Sequence, residues 1–196
     1  MATQRYMFTP GVDALNLGCL DDVNQWKVTW DGVRDQALKS WLATGLSSRE
    51  IFRLHEQHRA DMVRLRQIFR TYTKVHAETG APLVTPHVHH VNRDASLLCL
   101  FRQSHGPLED SLLVLFNMGQ TTFDGDRTYE LPVPEGFAGH WTVLFDGDGQ
   151  KDQRQSDAYA PGSRIDKSVG TFSNQANVLR LRVGAKSLLV LKYSFE

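Results

Sequence analysis

The stretch VLRLRVGAKSLLVL, residues 178–191, decides the fold class of this chain. Its first half alternates apolar and basic residues, which is typical of a strand with one buried and one solvated face. Gly184-Ala-Lys186 follows as a turn, and Leu188-Leu-Val-Leu191 is apolar throughout. This pattern predicts a hairpin of strands Val178–Val183 and Ser187–Tyr193, the second of which lies in the centre of a sheet.

Further strand patterns precede this hairpin from residue 81 onward. Turns rich in Gly, Pro and Asp separate them at intervals of about ten residues, a spacing typical of an antiparallel sandwich. The predicted strands are Leu83–Val84, Leu97–Arg102, Leu112–Asn117, Thr128–Val133 and His140–Phe145. Residues 146–177 have few apolar positions and are expected to form a long polar loop.

Before residue 80 the apolar residues recur at helical spacing. A first helix is expected over residues 32–44 and a second over residues 48–79. Ser47 and Glu50 form a capping box at the start of the second helix, and Gly80 stands at its end.

The apolar positions of the second helix follow one stripe from Ile51 to Val75, which we expect to be buried. We therefore predict an α+β fold. Residues 1–80 form an extended N-terminal segment and two helices, packed on an antiparallel β-sandwich of residues 81–196.

Composition excludes several classes of protein. The 196 residues contain 22 Lys and Arg and 22 Asp and Glu, a net charge of zero that argues against nucleic acid as the primary ligand. No apolar run is long enough for a membrane span. Cys19 and Cys99 make neither a disulfide framework nor a zinc motif, and the N-terminus lacks a secretory pattern. We expect an intracellular protein, in the cytoplasm rather than in an organelle.

The order of these elements carries a family resemblance over residues 50–193. The stretches concerned are Met62-Val-Arg-Leu-Arg-Gln-Ile-Phe69, Leu97–Arg102, Leu112–Asn117, Tyr129–Pro134, Gly139–Asp148 and Leu179–Leu191. This resembles the end of the alpha-amylase-family glycoside hydrolases, in which the last barrel helix leads into an antiparallel sandwich called domain C. The resemblance implies a domain-C-like sandwich after the second helix.

The same resemblance implies what the chain lacks. Family members carry their catalytic carboxylates on the strands of a barrel, and two helices cannot make an eight-stranded barrel of about 250 residues. We therefore expect no enzyme activity, no catalytic residue and no cofactor. The expected function is that of a non-catalytic structural or scaffolding subunit of a larger protein assembly. The alternative on the same fold is a glucan-binding module with an oligosaccharide ligand.

Five aromatic residues could stack on a sugar ring in that alternative: Phe123, Tyr129, Phe137, Trp141 and Tyr159. Strand alternation instead predicts that Tyr129 and Trp141 face inward, as strand aromatics usually do.

Pro86-His-Val-His-His90 is the most conspicuous polar motif. On a strand, His87 and His89 point to the same face, so two imidazoles could share one Zn, Fe or Cu ion, with Asp94 as a third ligand. That arrangement would make the chain a small cupin-like metalloenzyme. The alternative is a polar turn whose histidines face solvent or cap strand ends.

Partner contacts are expected at two places. The N-terminal segment carries Phe8, Leu20, Trp26 and Trp30 without a helical period, and the second helix carries Arg59, Arg66 and Arg70. Aromatic residues and Arg are enriched at the energetic centres of protein interfaces. The alternatives are an N-terminal segment folded over its own sandwich and a solvated helix face.

Overall fold

A computed structural model describes residues 48–147, 159–170 and 177–195. For residues 48–59 it gives the helical backbone. The expected helix over residues 32–44 lies outside the described residues.

The chain divides into two compact units, one of Val12–Arg64 and one of Met1–Gly11 with Leu65–Glu196. Of the first unit, the structure describes a helical stretch from Ser48 to Arg64. The second unit contains every described strand. The division of the chain between residues 80 and 81 stays a prediction.

Helix α1 spans Ser48–Thr71 and ends earlier than the predicted Thr79. Its last carbonyl groups find partners outside the helix. The Thr73 hydroxyl donates to the Phe69 carbonyl oxygen at 2.7 Å, and the Arg102 guanidinium donates to the Tyr72 carbonyl oxygen at 3.1 Å. Because these bonds satisfy carbonyls that a continuing helix would have used, the chain leaves the helix here.

Residues 74–83 form a short hairpin after α1. The Leu83 N–H donates to the Lys74 carbonyl oxygen at 2.8 Å, and Val75 bridges Pro82. Gly80, predicted to end the helix, instead occupies the turn of this hairpin at φ +67°. Val75 therefore leaves the predicted apolar stripe and is 55% exposed, which corrects its assignment to the buried face.

Within the described ranges nine strands follow, with a short 3₁₀ helix at Leu108–Asp110 between the second and third. The strands are β1 Val84–Asn92, β2 Leu97–Ser104, β3 Leu112–Asn117, β4 Tyr129–Pro132, β5 His140–Asp146, β6 Arg164–Ile165, β7 Lys167–Ser168, β8 Val178–Leu181 and β9 Ser187–Ser194. They form a six-stranded sheet in the order β1-β2-β3-β9-β5-β6 and a three-stranded sheet in the order β4-β8-β7. Every pairing is antiparallel.

The fold is therefore α+β, with two antiparallel sheets, as the sequence predicts. The apolar strand β9 lies between β3 and β5, which confirms its predicted central position. Two expectations were wrong. The strand expected at Leu83–Val84 extends to Asn92, and the stretch expected as a polar loop contains β6 and β7.

The main core lies between the two sheets. Leu113, Leu115 and Leu191 of the large sheet pack in one cluster with Leu131 and Leu179 of the small sheet. Aromatic rings fill one end of this cluster. The Phe137 ring lies 4.9 Å from both Phe101 and Tyr193, edge to face in each case.

The opposite face of the large sheet is also apolar. Alternation places Leu112, Val114 and Val190 on this outer face, and all three are fully buried. The described end of α1 lies on the same side, because Phe69 and Tyr72 contact Arg102, which is paired with Leu112.

None of the helical segments in the described ranges combines the length and the apolar character that crossing a membrane requires.

Candidate functional site

The histidine motif lies within edge strand β1, not in a turn. His87 is paired with Phe101, whereas the register shifts between Val88 and His90, so that His89 is the extra residue of a β-bulge. A bulge opposes two residues to one on the neighbouring strand. As a result, the adjacent residues His89 and His90 both turn toward the small sheet.

Two hydrogen bonds connect these histidines to β4. His89 Nε2 donates to the Pro132 carbonyl oxygen at 2.8 Å, which requires the ring proton on Nε2. His90 Nε2 lies 2.6 Å from the Tyr129 hydroxyl oxygen. Because β1 and β4 are edge strands of different sheets, the two bonds close one side of the sandwich.

Burial governs the ionisation of this pair. Burial, together with the neighbouring charge of His89, lowers the pKa of His90. Burial also raises the pKa of the Tyr129 hydroxyl, and a hydrogen bond with Asn92 opposes part of that rise. Both groups are therefore held in their neutral forms near pH 7, which suits a structural hydrogen bond rather than a proton-transfer pair.

Two residues of the predicted metal site, His87 and His89, both lie against the Phe101 ring. The rings of His87 and His89 lie 5.2 Å and 6.1 Å from the Phe101 ring, so both are on the same side of β1. Asp94, the expected third ligand, is exposed in the turn between β1 and β2. Within the described ranges, no group of three or more His, Cys, Asp or Glu side chains could hold a metal ion.

Arg102 joins α1 to the large sheet. The side chain is fully buried on β2, donates to the Tyr72 carbonyl oxygen and the Thr73 hydroxyl, and lies 5.2 Å from the centre of the Phe69 ring. Burial lowers the pKa of the guanidinium to about 10, while the negative charge of Asp110 opposes part of the shift. Arg102 thus stays charged at neutral pH and anchors the end of the helix.

The face of α1 away from this anchor is exposed. Arg66 and Arg70, two of the expected partner-binding residues, are both exposed, four positions apart on one side of the helix. Neither forms an ion pair with any residue in the part of the chain that the structure describes. The third expected residue of this helix, Arg59, has no described side chain.

The other expected partner-binding residues lie outside the described residues. They are Phe8, Leu20, Trp26 and Trp30, so their proposed contacts stay predictions.

The five aromatic residues expected as sugar-stacking candidates lie in the core or against it. Tyr129 and Trp141 are 8% and 0% exposed, which confirms their predicted inward orientation. Phe137 is buried in the same cluster, and Phe123 and Tyr159 pack against it. Three of the five are therefore buried, and the other two are partly buried.

Cys99 is a buried free thiol, and burial raises its pKa. A protonated, inaccessible sulfur is a packing group rather than a nucleophile. The second cysteine, Cys19, lies outside the described residues.

Comparison of the sequence with protein-family models and with curated proteins gives no match. The resemblance to amylase domain C stays a prediction from the sequence.

Arg102, which positions the end of the helix, was not among the residues predicted from the sequence. A signal was available, since a charged residue closes the otherwise apolar run Leu97-Leu-Cys-Leu-Phe-Arg102. Charged side chains are rarely buried without partners, so this Arg required partners on the covering layer.

Proposed function

We propose that this chain is a non-catalytic structural or scaffolding subunit of a larger protein assembly. Its sandwich resembles amylase domain C, and α1 serves as a docking element for other polypeptides. One observation carries the proposal. The end of α1 is fixed to the sandwich through Arg102, while Arg66 and Arg70 on the same helix are exposed without an ion-pair partner among the described residues.

A docking function uses both properties of the helix. A helix that is fixed by a buried anchor presents its side chains at low entropic cost, which favours association. Arg supplies several hydrogen-bond donors on a long apolar stem, and it is enriched at interface hot spots. The N-terminal residues Phe8, Leu20, Trp26 and Trp30 are proposed as the second part of the contact surface.

The expectation that the chain is not an enzyme is supported by the hydrogen bonds of its polar side chains, which connect parts of the fold to each other. His89 and His90 bond to β4 of the opposing sheet, and Arg102 bonds to the end of α1. Glycoside cleavage also needs two carboxyl groups about 5–10 Å apart across a sugar site. In the hydrolases that the chain resembles, those groups belong to the barrel.

The alternatives have less support. A glucan-binding module usually stacks an exposed aromatic ring on the sugar, whereas three of the five candidate rings are buried and the other two pack against the core. A metalloenzyme using His87 and His89 has no third ligand among the described residues.

The proposal is tested with the native assembly. The tagged full chain, a variant lacking residues 1–24 and the double variant Arg66→Glu/Arg70→Glu are each expressed in the source cells and purified under native conditions. We expect the wild type to migrate in a larger complex by size-exclusion chromatography, and both altered chains to be lost from it. The thermal midpoint of each purified chain should stay close to that of the wild type.

The matched control is Arg127→Glu/Lys167→Glu, which reverses two exposed charges on the sandwich and should leave the complex intact. Unchanged assembly of the Arg66→Glu/Arg70→Glu variant would remove α1 from the contact surface. A large drop in the thermal midpoint of the deletion variant would assign residues 1–24 to the protein's own fold instead.

A further inference from the structure

The sequence around the end of α1 has one sign of charge. Between Asp61 and Glu78 the chain contains four basic residues, Arg64, Arg66, Arg70 and Lys74, and no acidic residue. Of these, Arg66, Arg70 and Lys74 are exposed, and we name these three residues the basic strip. Their spacing of four residues keeps Arg66 and Arg70 about 6 Å apart along the helix axis.

No described residue neutralises the basic strip by an ion pair. The carboxylate of Asp110 acts on Arg102 and Tyr72 instead. Basic residues in the last turn of a helix interact favourably with the helix dipole. This effect is confined to about one turn, so it does not account for Arg66, which lies more than one turn before Thr71.

We propose that the basic strip binds an acidic, extended segment of a partner protein. This inference rests on the proposed function, because it names the chemistry of the partner that α1 would dock. The strip offers complementary charge: Arg66 and Arg70 are exposed on α1, Lys74 is exposed just beyond its end, and no carboxylate lies between them in the sequence.

A protein segment fits the strip better than a nucleic acid does. Affinity for nucleic acid grows with the number of phosphates that basic side chains neutralise, and three side chains are few beside the roughly 6–10 contacts of a strongly salt-dependent binder. The net charge of the whole chain is zero, so no wider positive field extends the strip. Gln67, which follows Arg66 in the sequence and is exposed, adds an amide suited to a peptide backbone.

The test measures binding of defined probes to the full chain by fluorescence anisotropy. The acidic probe is a labelled peptide of three Glu-Ala-Asp-Ser repeats, and the comparison probes are a Lys-Ala-Lys-Ser peptide and an oligouridylate of the same length. We expect the acidic peptide alone to bind. The affinity of the chain for the acidic peptide should fall about tenfold or more in the Arg66→Glu/Arg70→Glu variant. For the wild type, it should fall by a similar factor when the salt concentration rises from about 50 to about 300 mM.

The control Arg127→Glu/Lys167→Glu, with the same change in total charge, should bind the acidic peptide like the wild type. Equal binding by both double variants, or tighter binding of the oligouridylate, would overturn the inference. The proposed function is tested by a different result. It predicts that the Arg66→Glu/Arg70→Glu variant is lost from the native complex, and a variant that stays in the complex would contradict it. If that complex is lost while the acidic peptide does not bind, the docking function stands and the acidic partner is wrong.

Discussion

Replacing Arg102 tests the anchor between α1 and the large sheet. The side chain is fully buried, donates two hydrogen bonds to Tyr72 and Thr73, and covers the Phe69 ring. Hydrogen bonds from a charged donor contribute about 1.5–3 kcal/mol each, and truncation to Ala also leaves a cavity. We expect Arg102→Ala to lower the free energy of unfolding by about 3–5 kcal/mol.

Arg102→Met separates packing from hydrogen bonding. Met fills most of the same volume without a charge, so it removes the desolvation cost of the guanidinium and of its unpartnered Nε. We expect a loss of only about 1–2 kcal/mol. The assay is urea unfolding followed by circular dichroism, with linear extrapolation to water.

The control is Arg127→Ala, an exposed Arg whose replacement should change stability by less than about 0.5 kcal/mol. If Arg102→Ala lowered the free energy of unfolding by less than about 1 kcal/mol, the anchor would be refuted. Removing a buried, hydrogen-bonded charge is expected to destabilise the fold by more than that.

Three further predictions concern stability and activity. Leu65→Ala should lower the free energy of unfolding by about 2–5 kcal/mol because the side chain is fully buried, whereas the exposed Val75, changed to Ala, should lower it by less than about 0.5 kcal/mol. Equal losses for the two variants in urea unfolding would contradict this. Because the folded protein lowers the pKa of His90, the unfolded chain binds that proton more tightly, and stability should fall as the pH drops below about 6.5. His90→Gln should lose less stability over that range than the wild type, and identical pH curves would exclude the mechanism. The purified chain should not turn over starch, maltose or an activated maltoside, and robust hydrolysis would make it an enzyme.

Much of the sandwich could be predicted because its strands alternate and its turns are chemically distinct. Predicted and observed bounds agree for β3, and they differ by no more than two residues at either end for β4, β5 and β9. Strands of two residues, such as β6 and β7, are too short to show any period.

Long-range contacts explain the elements that were misjudged. α1 ends at Thr71 because Arg102, thirty residues away from Tyr72, takes the carbonyl group of that residue. No local pattern near Thr79 could show this. β1 was underestimated because Pro86 and three histidines hide its alternation, and the bulge at His89 breaks it.

The candidate site was predictable only in part. Arg66 and Arg70 could be placed on a helix from sequence, since their spacing and the apolar stripe fix the helical face. The bonds from His89 and His90 to β4 could not, because they depend on which strands form the edges of the two sheets.

Chemical labelling of arginines in the native assembly tests the docking account most directly. Phenylglyoxal modification of the isolated chain and of the purified complex is compared by peptide mass spectrometry. The account predicts that Arg66 and Arg70 are modified in the isolated chain and protected in the complex, while exposed Arg127 is modified equally in both. Buried Arg102 should resist modification in either state. Equal labelling of Arg66 and Arg70 with and without the partners would contradict the account.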